Sequence, residues 1–81
     1  MWKETQDQLN NVFKFKDFTE AFAFMTSVAF VCEKMNHHPE WTNVWNTVEI
    51  NLSTHDAGNV VTDLDRELAK AIDEIYEKYS K

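Results

Sequence analysis

Leu9, Phe13 and Phe15 fall on alternate positions of the stretch LNNVFKF, with polar Asn11 interrupting the row. That period of two predicts a strand with one covered face. A shorter strand near Trp2 to Thr5 is expected to pair with it across the polar QDQ. The period then changes. Asp17, with Glu20 three residues on, marks a helix start. Phe18, Ala21, Phe22, Met25, Val28, Ala29, Cys32 and Met35 recur at helical steps, predicting a helix from about Phe18 to Asn36. Phe24 and Val31 widen the stripe, and Phe30 lies outside it beside Ser27 and Lys34. Pro39 turns the chain out of the helix. EWTNVW and TVEINLS then read as a hairpin closed near Asn46, with Val48, Ile50 and Leu52 facing one way and Thr47, Glu49, Asn51 and Ser53 the other. A loop holding the only glycine, Gly58, leads to a second helix start at Thr62 and Asp65. Leu64, Leu68, Ile72, Ile75 and Tyr79 step along one side of that last helix.

The element order β-β-α-β-β-α, with striped helices and a one-sided sheet, predicts an α+β fold carrying both helices on one face. The 81 residues suffice for one domain, spanning 1–81, whose small core leaves apolar surface for self-association. No run approaches a membrane span, and no basic region with an apolar signal core follows Met1, so a cytoplasmic protein is expected. The net charge of -6, with eight scattered Lys and Arg, argues against nucleic-acid or membrane-surface partners. A single cysteine, Cys32, excludes an intramolecular disulfide and a thiolate zinc cluster, and its place in the helical stripe marks a small buried hydrophobe.

The candidate chemistry lies in NHHPEW and STHD, which hold all three histidines, His37, His38 and His55. As metal ligands they are badly arranged, because neighbouring side chains diverge by about 100° in a helix and oppose each other in a strand. No H-x-x-x-H or H-E-x-x-H spacing is present. A metal site formed by one of the pair with His55 and a carboxylate such as Glu33 is the least favoured of three readings on the residues alone, the others being solvated surface histidines or an acid–base set. Both segments end a secondary-structure element, where clefts form. Imidazole exchanges protons near neutrality without large tuning. Glu33 stands one helical turn before His37, in reach to orient a ring or a ligand. With no nucleophile in the set, elimination of water is the kind of reaction it fits.

The block EKMNHHPEWTNVWNTVEINLSTHDAG, followed by the T-x-x-D helix start and preceded by FKFKDFTEAFAFM, closely resembles the pterin-4a-carbinolamine dehydratase family from roughly Leu9 to Tyr76. The resemblance implies a four-stranded antiparallel sheet with helices on one side, assembled as a homodimer or homotetramer. It implies a metal-independent hydro-lyase with no organic cofactor, dehydrating 4a-hydroxytetrahydropterin to quinonoid dihydropterin in tetrahydropterin recycling. Of the catalytic trio it assigns acid–base work to His37 and His55, and makes His38 chiefly a holder of the pterin. Glu33, Pro39, Trp41, Ser53, Thr54 and Asp65 match the family's substrate-binding surroundings. The chain departs from the pattern in four places: no counterpart of the helix that usually precedes the first strand, Trp45 for a usual tyrosine, Asn59 where a second glycine is frequent, and a GNVVT segment one residue longer. The alternative function is a non-catalytic pterin-binding or interaction module. Animal members of the family also bind a homeodomain transcription factor as a dimerisation partner.

Overall fold

The structure, a computed structural model, describes residues 1–79. The elements are β1 (Lys3–Glu4), β2 (Leu9–Lys14), α1 (Phe18–Met35), β3 (Glu40–Val44), β4 (Thr47–Leu52), a 3-10 turn (His55–Ala57) and α2 (Asp63–Tyr76). All four strands pair antiparallel in one sheet of order β1-β2-β4-β3. The two long central strands run in register from Leu9 opposite Leu52 to Lys14 opposite Thr47. That register puts Leu9, Phe13, Val48, Ile50 and Leu52 on one buried face. On the other face Asn10 donates to Glu49 at 2.9 Å and to Asn51 at 2.6 Å, the wetter side that the alternation predicts.

Both helices cover the same face, as expected. The Phe13 ring meets Phe24 of α1 at 5.1 Å and Tyr76 of α2 at 4.8 Å, centroid to centroid. Phe15 packs against the same two rings and against Tyr79. Such aromatic pairs add about 0.5–1.5 kcal/mol each beyond their buried area. This cluster fixes the end of the sheet remote from the histidines. Asn46 in the β3–β4 turn ties that end shut, its side chain donating to the Phe15 carbonyl while the Phe15 N–H donates to its own, both at 2.9 Å.

The α1 stripe differs from the expected one. Ala21, Phe24, Val28 and Cys32 are buried, whereas Phe18 and Phe22 are about half exposed and Ala29 is exposed. The helix is apolar over more than half its circumference, so periodicity alone does not choose the buried arc. The sheet chooses it, by offering Phe24 a slot among Phe13, Phe15 and Tyr76. The core stripe is thereby narrowed to Ala21, Phe24, Val28 and Cys32, with Met25, Val31 and Met35 packed beside it.

The helix ends also differ in detail. Asp17 caps α1 by accepting the Glu20 N–H at 2.8 Å, but Glu20 returns to the Lys16 N–H rather than to that of Asp17. At the other end Asn36 adopts a left-handed conformation (φ 52, ψ 43). The His37 N–H reaches the Cys32 carbonyl at 3.0 Å and the Asn36 N–H that of Glu33 at 3.1 Å, a Schellman closure. The helix therefore stops ahead of Pro39, through the residue type that tolerates left-handed backbone best after glycine. Tyr79 lies past the end of α2 yet still packs on Phe15 and Phe24. Among the described residues no helix is long and apolar enough to cross a membrane.

Candidate active site

Three chain junctions meet at the end of the sheet opposite the aromatic cluster: the exit of α1, the exit of β4 and the entry of α2. The Schellman turn throws His37 inward and His38 outward, so the adjacent imidazoles part company. After β4, Thr54 pairs with Val60 as an isolated antiparallel bridge. The intervening 3-10 turn closes through Gly58 (φ 91) and Asn59 (φ 60), two successive left-handed residues. That closure brings Thr62, the residue that caps α2, beside Thr54.

A cavity of about 270 Å³ opens at this meeting point. His37, His38, Ser53, Thr54 and His55 line it, and Asn36, Asp56 and Leu64 complete its wall. Glu33, Pro39 and Trp41 face a neighbouring depression of about 200 Å³ that also touches Ala29, Cys32 and His38. His38 thus borders both spaces. Asp65 lines neither; it lies behind His37 with 0% of its surface exposed. The expected site residues are therefore brought together as two adjoining hollows and one buried anchor.

A carboxylate buried this completely must be fully hydrogen-bonded or it costs several kcal/mol. Asp65 meets that condition. Oδ1 pairs with His37 Nε2 at 2.5 Å, and Oδ2 accepts from Thr54 Oγ1 at 2.7 Å and from the Thr62 N–H at 2.9 Å. The last bond is the carboxylate half of the capping box that the T-x-x-D spacing predicts. Because Thr54 gives its only proton to Asp65, the 2.6 Å contact between the Thr54 and Thr62 hydroxyls has Thr62 as donor. A directed chain runs Thr62 to Thr54 to Asp65. Burial alone would push the Asp65 carboxyl up, but the bonds from His37, the Thr62 N–H and Thr54, with the charge of His37, outweigh it and hold the group below its ordinary value. Asp65 is thus an anion near neutrality.

An anionic partner accepts, so His37 Nε2 carries a proton and Nδ1 is the ring atom left over. Nδ1 has no protein hydrogen-bond partner among the described residues, while every fully buried side-chain nitrogen and oxygen has one. Nδ1 is therefore not fully buried, even though His37, which lines the cavity, is as a whole only 8% exposed. At the rim, His38 Nε2 pairs with Glu33 Oε2 at 2.5 Å, both groups well exposed. Glu33, expected one turn before His37, pairs instead with the ring of His38. His55 Nδ1 lies 3.0 Å from Asn59 Oδ1, and Asp56 is exposed.

Cys32 is buried in the α1 stripe: burial pushes its thiol up, a backbone hydrogen bond opposes this, and the Glu33 charge adds to the rise. Among the described residues no group of three or more His, Cys, Asp or Glu side chains is placed to hold a metal ion. Sequence reasoning took Thr62 only as a helix start and passed over Asn36 and Leu64. Asparagine's tolerance of left-handed backbone was the one signal that pointed to Asn36.

The sequence profile described as Pterin 4 alpha carbinolamine dehydratase matches residues 1–75. A protein of Bradyrhizobium diazoefficiens is 59% identical over 76 residues, covering 91% of this chain and 75% of its own length. One from Prochlorococcus marinus strain MIT 9515 is 52% identical over 77 residues, covering 95% and 79%. Both carry the name "Putative pterin-4-alpha-carbinolamine dehydratase". Among solved structures, a transcriptional coactivator/pterin dehydratase from Brucella melitensis superposes with a TM-score of 0.86 at 42% identity, over 91% of this chain and 80% of that one. A pterin dehydratase-like protein, identified as a RuBisCO assembly factor in the alpha-carboxysome, shares the fold with a TM-score of 0.76 at 23% identity, over 91% and 87%. With a profile spanning nearly its whole length and relatives above half identity, this chain belongs to the pterin 4 alpha carbinolamine dehydratase family.

Proposed function

We propose that the chain dehydrates 4a-hydroxytetrahydropterin to quinonoid dihydropterin, with His37 and His55 exchanging the protons and His38 holding the pterin. The observation that carries this reading is the convergence of three imidazoles on one cavity, one of them anchored by a buried carboxylate. In the reaction the C4a–O bond breaks and the oxygen leaves as water after gaining a proton. N5 loses its proton, and its electron pair forms the N5=C4a double bond. No electrons leave the substrate, so one acid and one base suffice, without metal or organic cofactor. Each positioned proton transfer contributes about 10²–10⁴-fold.

His37 suits such a role because Asp65 holds Nε2–H and leaves Nδ1, which is not fully buried, as the ring atom to exchange a proton. Ser53 and Thr54 border the same space, and Glu33, Pro39 and Trp41 extend binding past His38. The exposed rings of Phe18, Phe22 and Phe30 support assembly as a homodimer or homotetramer. The coactivator role named for the Brucella relative favours a second reading, a protein-interaction module. An interaction role survives replacement of the histidines; the dehydratase does not.

The test follows decay of freshly prepared 4a-hydroxytetrahydropterin with chelator-treated protein and with a His37→Ala/His55→Ala variant. Acceleration by the wild type, absent in the variant, is the expected result. Decay at the protein-free rate with folded wild type overturns the proposal.

A further inference from the structure

We infer that Asn59 is a positioning residue that holds His55 in the Nδ1–H tautomer and so presents Nε2 as its proton-exchanging atom. Its catalytic consequence rests on the dehydratase reading above; the tautomer itself does not. Three observations carry the inference. His55 Nδ1 lies 3.0 Å from Asn59 Oδ1, and an amide oxygen only accepts, so the proton is on Nδ1. Asn59 is left-handed, with φ 60, and its N–H is fixed on the Thr54 carbonyl at 3.0 Å. The backbone on both sides of the amide is thus set: Thr54 is tied to Val60 just beyond it. The imidazole starts the same tight turn, whose Gly58 N–H closes on the His55 carbonyl at 3.0 Å.

The turn itself would be served as well by glycine at residue 59, since the left-handed backbone favours glycine over any side chain. What asparagine adds is the acceptor. A neutral histidine without a partner prefers the proton on Nε2, which would leave the basic lone pair on Nδ1, on the side of its own backbone. Asn59 reverses that preference. The two proton-exchanging histidines are then fixed in opposite senses, His37 with Nε2–H against Asp65 and His55 with Nδ1–H against Asn59. Among the described residues the other nitrogen of each ring has no hydrogen-bond partner, and both rings line one cavity.

Long-range ¹H–¹⁵N spectra of the histidine rings, at about pH 8.5 where an ordinary histidine is neutral, read the tautomers directly in wild type, Asn59→Gly and Asn59→Asp. The glycine variant keeps the left-handed turn and removes the acceptor; the aspartate variant keeps an acceptor. Expected is Nδ1–H at His55 in the wild type and the aspartate variant, and a shift toward Nε2–H in the glycine variant, with the His37 signals unchanged as the check on folding. In turnover of 4a-hydroxytetrahydropterin, Asn59→Gly should lose roughly 2- to 10-fold in kcat/KM, the worth of one neutral hydrogen bond, and Asn59→Asp should restore most of it. Nε2–H at His55 in the wild type, or an unmoved tautomer in the glycine variant, overturns the inference. So does a tautomer shift that leaves an active enzyme's kcat/KM untouched. Wild type that shows the Nδ1–H signature but turns over no substrate overturns the dehydratase reading and leaves Asn59 as the residue that sets the tautomer.

Discussion

His37 and His38 are neighbours in sequence and opposites in environment. The first is nearly buried and paired with a carboxylate of 0% exposure; the second pairs at the surface with a carboxylate 77% exposed. Both contacts measure 2.5 Å, yet distance says little about what each contributes. Water competes for the exposed pair, and its net worth is about 0–1 kcal/mol. Around the inner pair, removing one partner strands the others. The candidate site is thus built in two parts, a buried inner one held by several hydrogen bonds and an exposed outer one held by a single pair.

The largest effect should come from breaking the inner part. Asp65→Ala leaves His37, the Thr54 hydroxyl and the Thr62 N–H without their acceptor, and should cost about 3 kcal/mol in urea unfolding. His37→Ala should lower kcat by about 10²-fold or more and also reduce stability, because Asp65 then remains as an underbonded buried anion. His55→Ala should match that loss of turnover while shifting stability by no more than about 0.5 kcal/mol, as an exposed side chain. Equal stability losses in the two histidine variants would erase the distinction between the parts.

Acid should reveal the same contrast. The folded Asp65 carboxyl lies below its ordinary value, so on acidification the unfolded chain takes up this proton first. The stabilisation is complete above about pH 4, the ordinary aspartate value, and is lost as the pH falls through the lower folded value. The gap in unfolding midpoint between wild type and Asp65→Asn should therefore narrow on acidification below that pH. The smallest effect is expected from Glu33→Gln, which should leave the thermal midpoint nearly unchanged and alter KM by less than about threefold.

Sequence pattern located the strands, the two helix starts and the histidines, because each rests on local spacing: alternation in VEINL, T-x-x-D at Thr62, the pair beside Pro39. It drew the buried arc of α1 too broadly, taking in Phe18, Phe22 and Ala29, because the limits of that arc belong to the sheet and to the slot that Phe24 fills. The pairing of His37 with Asp65 spans 28 residues and depends on how three junctions meet, which no local spacing encodes. Spacing set Glu33 one turn before His37, but the left-handed backbone at Asn36 brings it to His38 instead. The resemblance to a known family supplied the expected site residues; that Asp65 is buried behind His37 while His38 and Glu33 stand at the rim came from the geometry.

The measurement that tests the central claim most directly is turnover of 4a-hydroxytetrahydropterin by His37→Ala, Asp65→Asn and the double variant. If Asp65 acts only through the ring it holds, the double variant should be no slower than His37→Ala alone, a fully non-additive result. Losses that multiply would contradict the account, giving Asp65 a part in the reaction independent of His37.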